Sequence, residues 1–143
     1  MLRGINWIAV AIAVILLEVL GYMWYGPLLG DVWAASYQTY LGHAPDMSDV
    51  AVNMSLGVVN TLILTIGLAW LFARFGVSAL AGIGAAVAVW FFFNFTTMAI
   101  DYLYMAMPGR LVIINMGYQL LSYVVAGAVL GLMPGKGAKV ATD

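Results

Sequence analysis

The sequence lacks cysteine and contains very little charge. With no cysteine in 143 residues, disulfide bonds, thiol chemistry and cysteine-ligated metals are excluded. Histidine occurs once, at His43, so a metal site with several histidine ligands is excluded as well. Charged residues make up 8% of the chain, whereas soluble domains have about 25%. The net charge of −1, without a basic run, predicts no nucleic-acid partner.

The rest of the sequence is strongly apolar. Hydrophobic residues make up 65% of the chain, and the mean hydropathy is +1.04. An integral membrane protein is the class that fits this composition, and the length predicts a single domain. The N-terminal run resembles a signal peptide, but it continues to about Tyr25, contains Glu18 and lacks a small-x-small cleavage site. We therefore predict that it is a retained first transmembrane helix.

Apolar runs long enough to cross about 30 Å of hydrocarbon occur four times. They predict an all-α membrane protein, a bundle of four transmembrane helices in one domain over residues 1–143. A shorter segment after the first run carries Trp33, Tyr37 and Tyr40 on one side, which indicates a helix lying in the membrane interface. The predicted ranges are 5–25, 49–73, 78–104 and 111–133 for the transmembrane helices, 31–41 for the interfacial segment and 134–143 for a mobile tail.

Charge placement predicts the orientation in the membrane. Four crossings put both termini on one side, and the other side has Arg110 as its single cation. Because lysine and arginine favour the cytoplasm, we expect both termini there, with the protein in the cytoplasmic (inner) membrane of a bacterium. The cations on the side of the termini are Arg3, Arg74, Lys136 and Lys139.

Polar residues inside the helices are the strongest functional signal. The first and third helices run outward and carry polar residues toward their C-terminal ends, whereas the second and fourth run inward and carry them toward their N-terminal ends. All of these residues therefore lie in the extracytoplasmic half or near the bilayer centre. The inner half instead has small residues, such as Gly127 and Gly131, which are typical of close helix packing. We therefore predict a polar cluster that opens toward the extracytoplasmic side. Its candidate binding residues are Glu18, Asn53, Asn60, Asn94, Asp101, Arg110, Asn115 and Gln119.

Two interpretations of this cluster remain open. The amides can be explained as hydrogen bonds between helices, each contributing about 0.6 kcal/mol on average. The carboxylates Glu18 and Asp101 are harder to explain in this way, because an ionisable residue within a membrane is a functional hypothesis by default. A pair with Arg110 would make Asp101 structural. Glu18 without a cation could carry a proton, as in proton-coupled carriers.

Several stretches resemble one family of small bacterial membrane proteins, domain of unknown function 1761. They are GYMWYGPLLGDVW at the end of the first helix, TTMAIDYLY in the third and NMGYQLLSYVVAGAVLG in the last. The Trp-Tyr-Gly-Pro motif at residues 24–27 is the most specific part. The family commonly has an acidic-Gly-Arg-Pro type loop after the third helix, whereas this chain reads MAMPGR, which keeps Arg110 but loses the acidic residue. The resemblance implies a four-helix membrane protein and implies no activity.

Three functions from different classes follow. The first is a non-enzymatic protein that acts by association, as a homo-oligomer or as an accessory subunit of a larger membrane complex, with membrane lipids around it and no cofactor. The second is a small proton-coupled carrier or a small-molecule or lipid-binding protein that uses the polar site. A lone glutamate in the first of four helices resembles the small multidrug exporters, but those insert in both orientations, which the charge bias here opposes.

The third is an enzyme acting on a lipid or quinone through Glu18, Asp101 and tyrosine hydroxyls. No nucleophile motif, phosphate loop or cofactor fingerprint occurs in the sequence. We therefore expect the first function.

Overall fold

The protein is helical throughout the part of the chain that the computed structural model describes, residues 2–46 and 48–136, and this part contains no strand. Five helices follow one another in these ranges, and all but the second are long and apolar enough to cross a membrane. This confirms the all-α class and the number of membrane-length helices. The predicted tail is described as far as Lys136, and residues 137–143 lie outside the described residues. The helices are α1 (Trp7–Leu28), α2 (Gly30–Leu41), α3 (Val50–Phe75), α4 (Ala81–Tyr104) and α5 (Gly109–Leu132).

The end of α1 is kinked at the Trp-Tyr-Gly-Pro motif. The α-helix proper runs over Trp7–Met23, and the last turn, Trp24–Leu28, is π-helical. Gly26 has φ −108° and ψ −106°, which is outside the helical region, and Pro27 follows it. Proline has no N–H group to donate and its ring clashes with the preceding turn, so the helix bends here. As a result, α2 begins two residues after α1 ends.

The apolar core lies at the end of the molecule where the described chain begins and ends. It joins the first half of α1, the second half of α3, the start of α4 and the end of α5. Asn6 fixes this end, because its side-chain oxygen accepts from the backbone N–H groups of Ile8 and Ala9 while its amide donates to the carbonyl of Met133 at 3.2 Å. The buried core residues are Ala9, Val10, Leu17, Leu68, Ala69, Phe72, Ala86, Ala126 and Leu130.

Helices α4 and α5 approach closely through small residues, among them Gly127 and Gly131. A Cβ atom on Gly127 would lie 2.6 Å from the carbonyl oxygen of Gly82 and 2.7 Å from the Cβ of Ala86. A Cβ atom on Gly82 would likewise collide with the backbone of Gly127. The contact is extended by a hydrogen bond from the N–H of Ala79 to the carbonyl of Gly131, at 2.6 Å. Only glycine permits this separation between the two backbones.

Helix α3 packs along only one half of its length. Its second half is anchored in the core by Thr65, Leu68 and Phe72, which are buried. In its first half every residue from 51 to 60 is exposed. No residue of this stretch is therefore buried against α1, α4 or α5.

Candidate functional site

A cleft lies between the middle of α3, over residues 60–71, and helices α4 and α5, and Leu17 of α1 also lines it. Its volume is about 520 Å³, which is within the range of small-molecule sites. Three of the predicted site residues line it, Asn60 from α3, Asn94 from α4 and Gln119 from α5. Leucine side chains of α3 form much of its apolar wall. The cleft thus combines a few amides with a long hydrocarbon surface.

A hydrogen bond between two of these amides crosses from α4 to α5. Asn94 donates from Nδ2 to the Oε1 of Gln119 at 2.6 Å. Asn94 lies in a π-helical segment of α4, Trp90–Phe95, and such segments change the direction in which side chains project from a helix. Each amide has both a donor and an acceptor, so a single bond uses only part of the capacity of either group. The pair can therefore hold the two helices together and still bind a further polar group.

A second cavity lies beneath α2, nearer the start of α5. Its volume is about 310 Å³, and we call it the aromatic pocket, because Tyr25, Trp33, Tyr37 and Tyr40 line it. Asn115, another predicted site residue, also lines it and accepts a hydrogen bond from the hydroxyl of Tyr25 at 3.1 Å. The structure therefore separates Asn115 from the amides of the cleft, although only one turn of α5 lies between Asn115 and Gln119.

The remaining predicted site residues line neither cavity. Asn53, Asp101 and Arg110 have exposed side chains. Glu18 is half-buried on α1, one turn before Gly21. The hydroxyl of Tyr118 packs against this stretch, since a Cβ atom on Gly21 would lie 3.1 Å from it. Of the eight predicted residues, the cleft therefore brings together three.

Two residues at the end of α1 were missed by the search for polar side chains. Trp24 donates its indole N–H to the carbonyl of Ile114 at 3.0 Å, and Tyr25 bonds to Asn115, so both join α1 to the start of α5. The available signal was the Trp-Tyr-Gly-Pro motif itself. Its first two residues make the bonds, and its Gly-Pro pair makes the kink that presents them.

These features define the class of the protein: a helical protein with the four apolar spans of a multi-pass membrane protein and an amide-lined cleft between them. The sequence model of one family, Protein of unknown function (DUF1761), matches residues 8–131, and the chain belongs to this family. The match includes all three stretches on which the resemblance rests. No curated protein and no solved structure matches the chain.

Proposed function

We propose that the protein is a non-enzymatic membrane protein that acts by association, as a homo-oligomer held together through the first half of α3. The observation that carries this proposal is the exposure of every residue from 51 to 60 in a helix of membrane-spanning length. Two of these exposed residues, Asn53 and Asn60, have amide side chains. We call the face that carries them, together with Gly57, the α3 amide face.

Amides exposed to hydrocarbon favour a protein partner. Lipid tails offer no hydrogen bonds, and buried polar groups without partners are costly in an apolar medium. In membranes, asparagine and glutamine therefore bond across helices, with about 1–2 kcal/mol per bond in model peptides. Asn53 and Asn60 are seven residues apart and lie on the same side of α3, so one partner helix could bond to both.

A second copy of the chain is the partner that this face fits best. An amide is both donor and acceptor, so asparagines related by a two-fold axis can bond to each other. Gly57 lies between the two asparagines, and a Cβ atom there would meet nothing within 4 Å. A second α3 can therefore approach closely at Gly57, as small residues allow in membranes.

The same proposal includes an arrangement in the membrane. The four long helices form a bundle in the cytoplasmic membrane of a bacterium, and α2 lies in the extracytoplasmic interface. Its support is the charge bias, which favours cytoplasmic termini, and the length of α2, which at 12 residues is too short to span the bilayer.

The test is the mass of the particle extracted in a lipid disc, measured by native mass spectrometry. We expect a homo-oligomer. Replacing both amides, in Asn53→Val with Asn60→Val, should raise its dissociation constant roughly tenfold or more, because interhelical hydrogen bonds are lost. The matched control is Val52→Ala with Val59→Ala, which alters two exposed residues with the same spacing on an adjacent face and should leave the dissociation constant nearly unchanged.

Crosslinking gives an independent readout, because the chain has no cysteine. Gly57→Cys should yield a disulfide-linked dimer in native membranes. Ile113→Cys, on an exposed part of α5, should not. A monomer in the lipid disc together with no crosslink at position 57 contradicts the homo-oligomer, and a defined set of other proteins in the particle indicates an accessory subunit instead.

The cleft favours a second candidate function, the binding of a small molecule or lipid. Its amides Asn94 and Gln119 offer hydrogen bonds beside an apolar wall long enough for a hydrocarbon chain. A small molecule retained by the particle in native mass spectra supports this function when Gln119→Leu releases it and Ile113→Val does not. A molecule retained equally by both variants is bound elsewhere.

A further inference from the structure

The aromatic pocket has the construction of a site for an organic cation. Trp33 and Tyr37 lie four residues apart on α2 and their ring centroids are 5.3 Å apart. Tyr25 meets Trp33 edge-on, with centroids 5.7 Å apart and an angle of 77° between the rings. Tyr40 completes the set of aromatic residues that line the cavity. Tyr25 is steeply inclined to Trp33, whereas the planes of Trp33 and Tyr37 differ by 35°, so the three rings do not form a parallel stack.

Hydrogen bonds hold two of these rings in place. The hydroxyl of Tyr25 donates to Asn115, and the hydroxyl of Tyr40 donates to the backbone carbonyl of Met105. These bonds connect α1 to α5, and α2 to the segment that joins α4 and α5. A pocket whose walls are fixed before binding loses less entropy when a ligand enters.

The charges around the pocket favour a positive ligand. None of the residues that line it is charged. The link that includes α2, residues 29–49, has three aspartates and no lysine or arginine, and Asp101 adds a fourth carboxylate near the end of α4. Arg110 contributes a positive charge to the same region, and its side chain is exposed. The faces of aromatic rings attract cations, and methionine sulfur, here from Met105 and Met107, is soft and polarisable.

We propose that the aromatic pocket binds an alkylated ammonium group, carried by a small solute or by a lipid headgroup. Its volume of about 310 Å³ is large enough for a trimethylammonium group with a short substituent. The pocket lies on α2, away from the α3 amide face, so this inference does not depend on the proposed association. The competing explanation is an aromatic belt, in which such residues only anchor a helix at the membrane surface.

The test compares choline with dimethylbutanol, its neutral carbon isostere, by calorimetric titration of the full chain in phosphatidylglycerol discs. The two molecules have nearly the same shape, so only the charge distinguishes them. We expect choline to bind roughly tenfold more tightly, from cation–π attraction. Equal binding of the two, or no binding of either, overturns the proposal and leaves the aromatic residues as an anchor.

Substitutions of Trp33 distinguish the loss of the aromatic ring from a loss of folding. Trp33→Leu should weaken choline binding roughly tenfold and Trp33→Phe by less, because phenylalanine keeps a weaker aromatic face. The matched control is Trp7→Leu, the same substitution at an exposed tryptophan outside the pocket, which should bind choline normally. If choline binds Trp33→Leu as well as the unchanged chain, the pocket is not the site and the proposal fails, whereas the order Trp, Phe, Leu supports it even where Trp33→Leu loses stability.

A final comparison identifies the source of the ammonium group. The titration is repeated in discs that contain phosphatidylcholine, whose headgroup carries the same trimethylammonium. Loss of choline binding in these discs supports the pocket as a lipid-headgroup site, since the lipid then competes. Unchanged binding supports it as a site for a free solute.

Discussion

Two individual residues, Trp24 and Trp90, use the same indole group in opposite ways. Trp24 donates its N–H to the carbonyl of Ile114, whereas the Nε1 of Trp90 is buried with no hydrogen-bond partner among the described residues. An unpaired buried donor costs about 1–3 kcal/mol. Trp90 packs with Tyr102 and Met116, so its ring contributes by packing and not by hydrogen bonding.

This contrast predicts the effect of replacing each tryptophan with benzothienylalanine, which has sulfur in place of the N–H at nearly the same shape. At position 90 the change should leave the free energy of unfolding unchanged or raise it, because an unpaired donor is removed. At position 24 it should lower that free energy by about 1 kcal/mol, because a bond to Ile114 is lost. Thermal unfolding in lipid discs measures both. A larger loss at position 90 than at position 24 would show that the N–H of Trp90 has a partner.

The amide pair of the cleft supports a second prediction about individual side chains. Asn94→Ala and Gln119→Ala each remove one side of the 2.6 Å bond, and the double variant removes both. The double-mutant cycle should give a coupling of about 0.6 kcal/mol, and not more than about 2, as for other bonds between helices in membranes. Steric-trap unfolding of the four proteins measures it. A coupling of zero contradicts a bond between the two side chains in the membrane.

Among the helices, the contact between α4 and α5 depends on glycine at particular positions. Gly82 faces the backbone of Gly127, whereas a Cβ atom on Gly84, two residues further along α4, would meet nothing within 4 Å. The two glycines belong to the same helix but point to different sides. Substituting each glycine in turn therefore distinguishes the effect of helix propensity on stability from the effect of packing between helices.

We predict that Gly82→Ala and Gly84→Ala have opposite effects on stability. Gly82→Ala should destabilise the protein by several kcal/mol, because the added methyl overlaps backbone atoms of α5 that cannot move aside. Gly84→Ala should raise the free energy of unfolding by about 0.5–1 kcal/mol, from higher helix propensity alone. Thermal unfolding of both variants in the same detergent measures the difference. A neutral Gly82→Ala would contradict the close approach of the two helices.

Across the molecule as a whole, packing is uneven from one end of the bundle to the other. The core collects at the end near Asn6 and Met133, while the first half of α3 is exposed at the other end. Small residues make the core end dense, and amides and aromatic residues surround the cavities elsewhere. If the charge bias sets the orientation, the dense end is cytoplasmic and the aromatic pocket faces the exterior.

Reporter fusions test this orientation. A fluorescent protein that folds only in the cytoplasm should be bright when fused after Lys136 and dark when inserted at Gly42, in the link between α2 and α3. A phosphatase that is active only outside the cytoplasm should give the reverse pattern. Adding lysines at Gly42 should reduce the asymmetry of both reporters, because the positive charges then oppose the bias. The opposite pattern for the unchanged chain would place the pocket on the cytoplasmic side.

Composition and local pattern were sufficient to predict the helices and one of their packing faces. Four apolar runs require helices, because a backbone in hydrocarbon must satisfy its own hydrogen bonds, and the structure has helices in the same parts of the chain. The small residues Gly127 and Gly131 also predicted a closely packed face on α5, and both glycines lie against the backbone of the α4 region. Both signals are local, since helix periodicity alone places such residues on one face.

Which polar residues meet depends instead on how the helices pack. Depth along the membrane predicted one cluster of eight residues, but depth does not specify the direction in which a side chain points around its helix. The packing of α3, the π-helical segment of α4 and the kink at Gly26 decide which side chains meet. They bring Asn60, Asn94 and Gln119 to the cleft, whereas Asn115, one turn earlier on the same side of α5, lines the aromatic pocket. The kink is encoded locally by the Gly-Pro pair, but which side chains meet across helices depends on packing between distant parts of the chain, which no local pattern encodes.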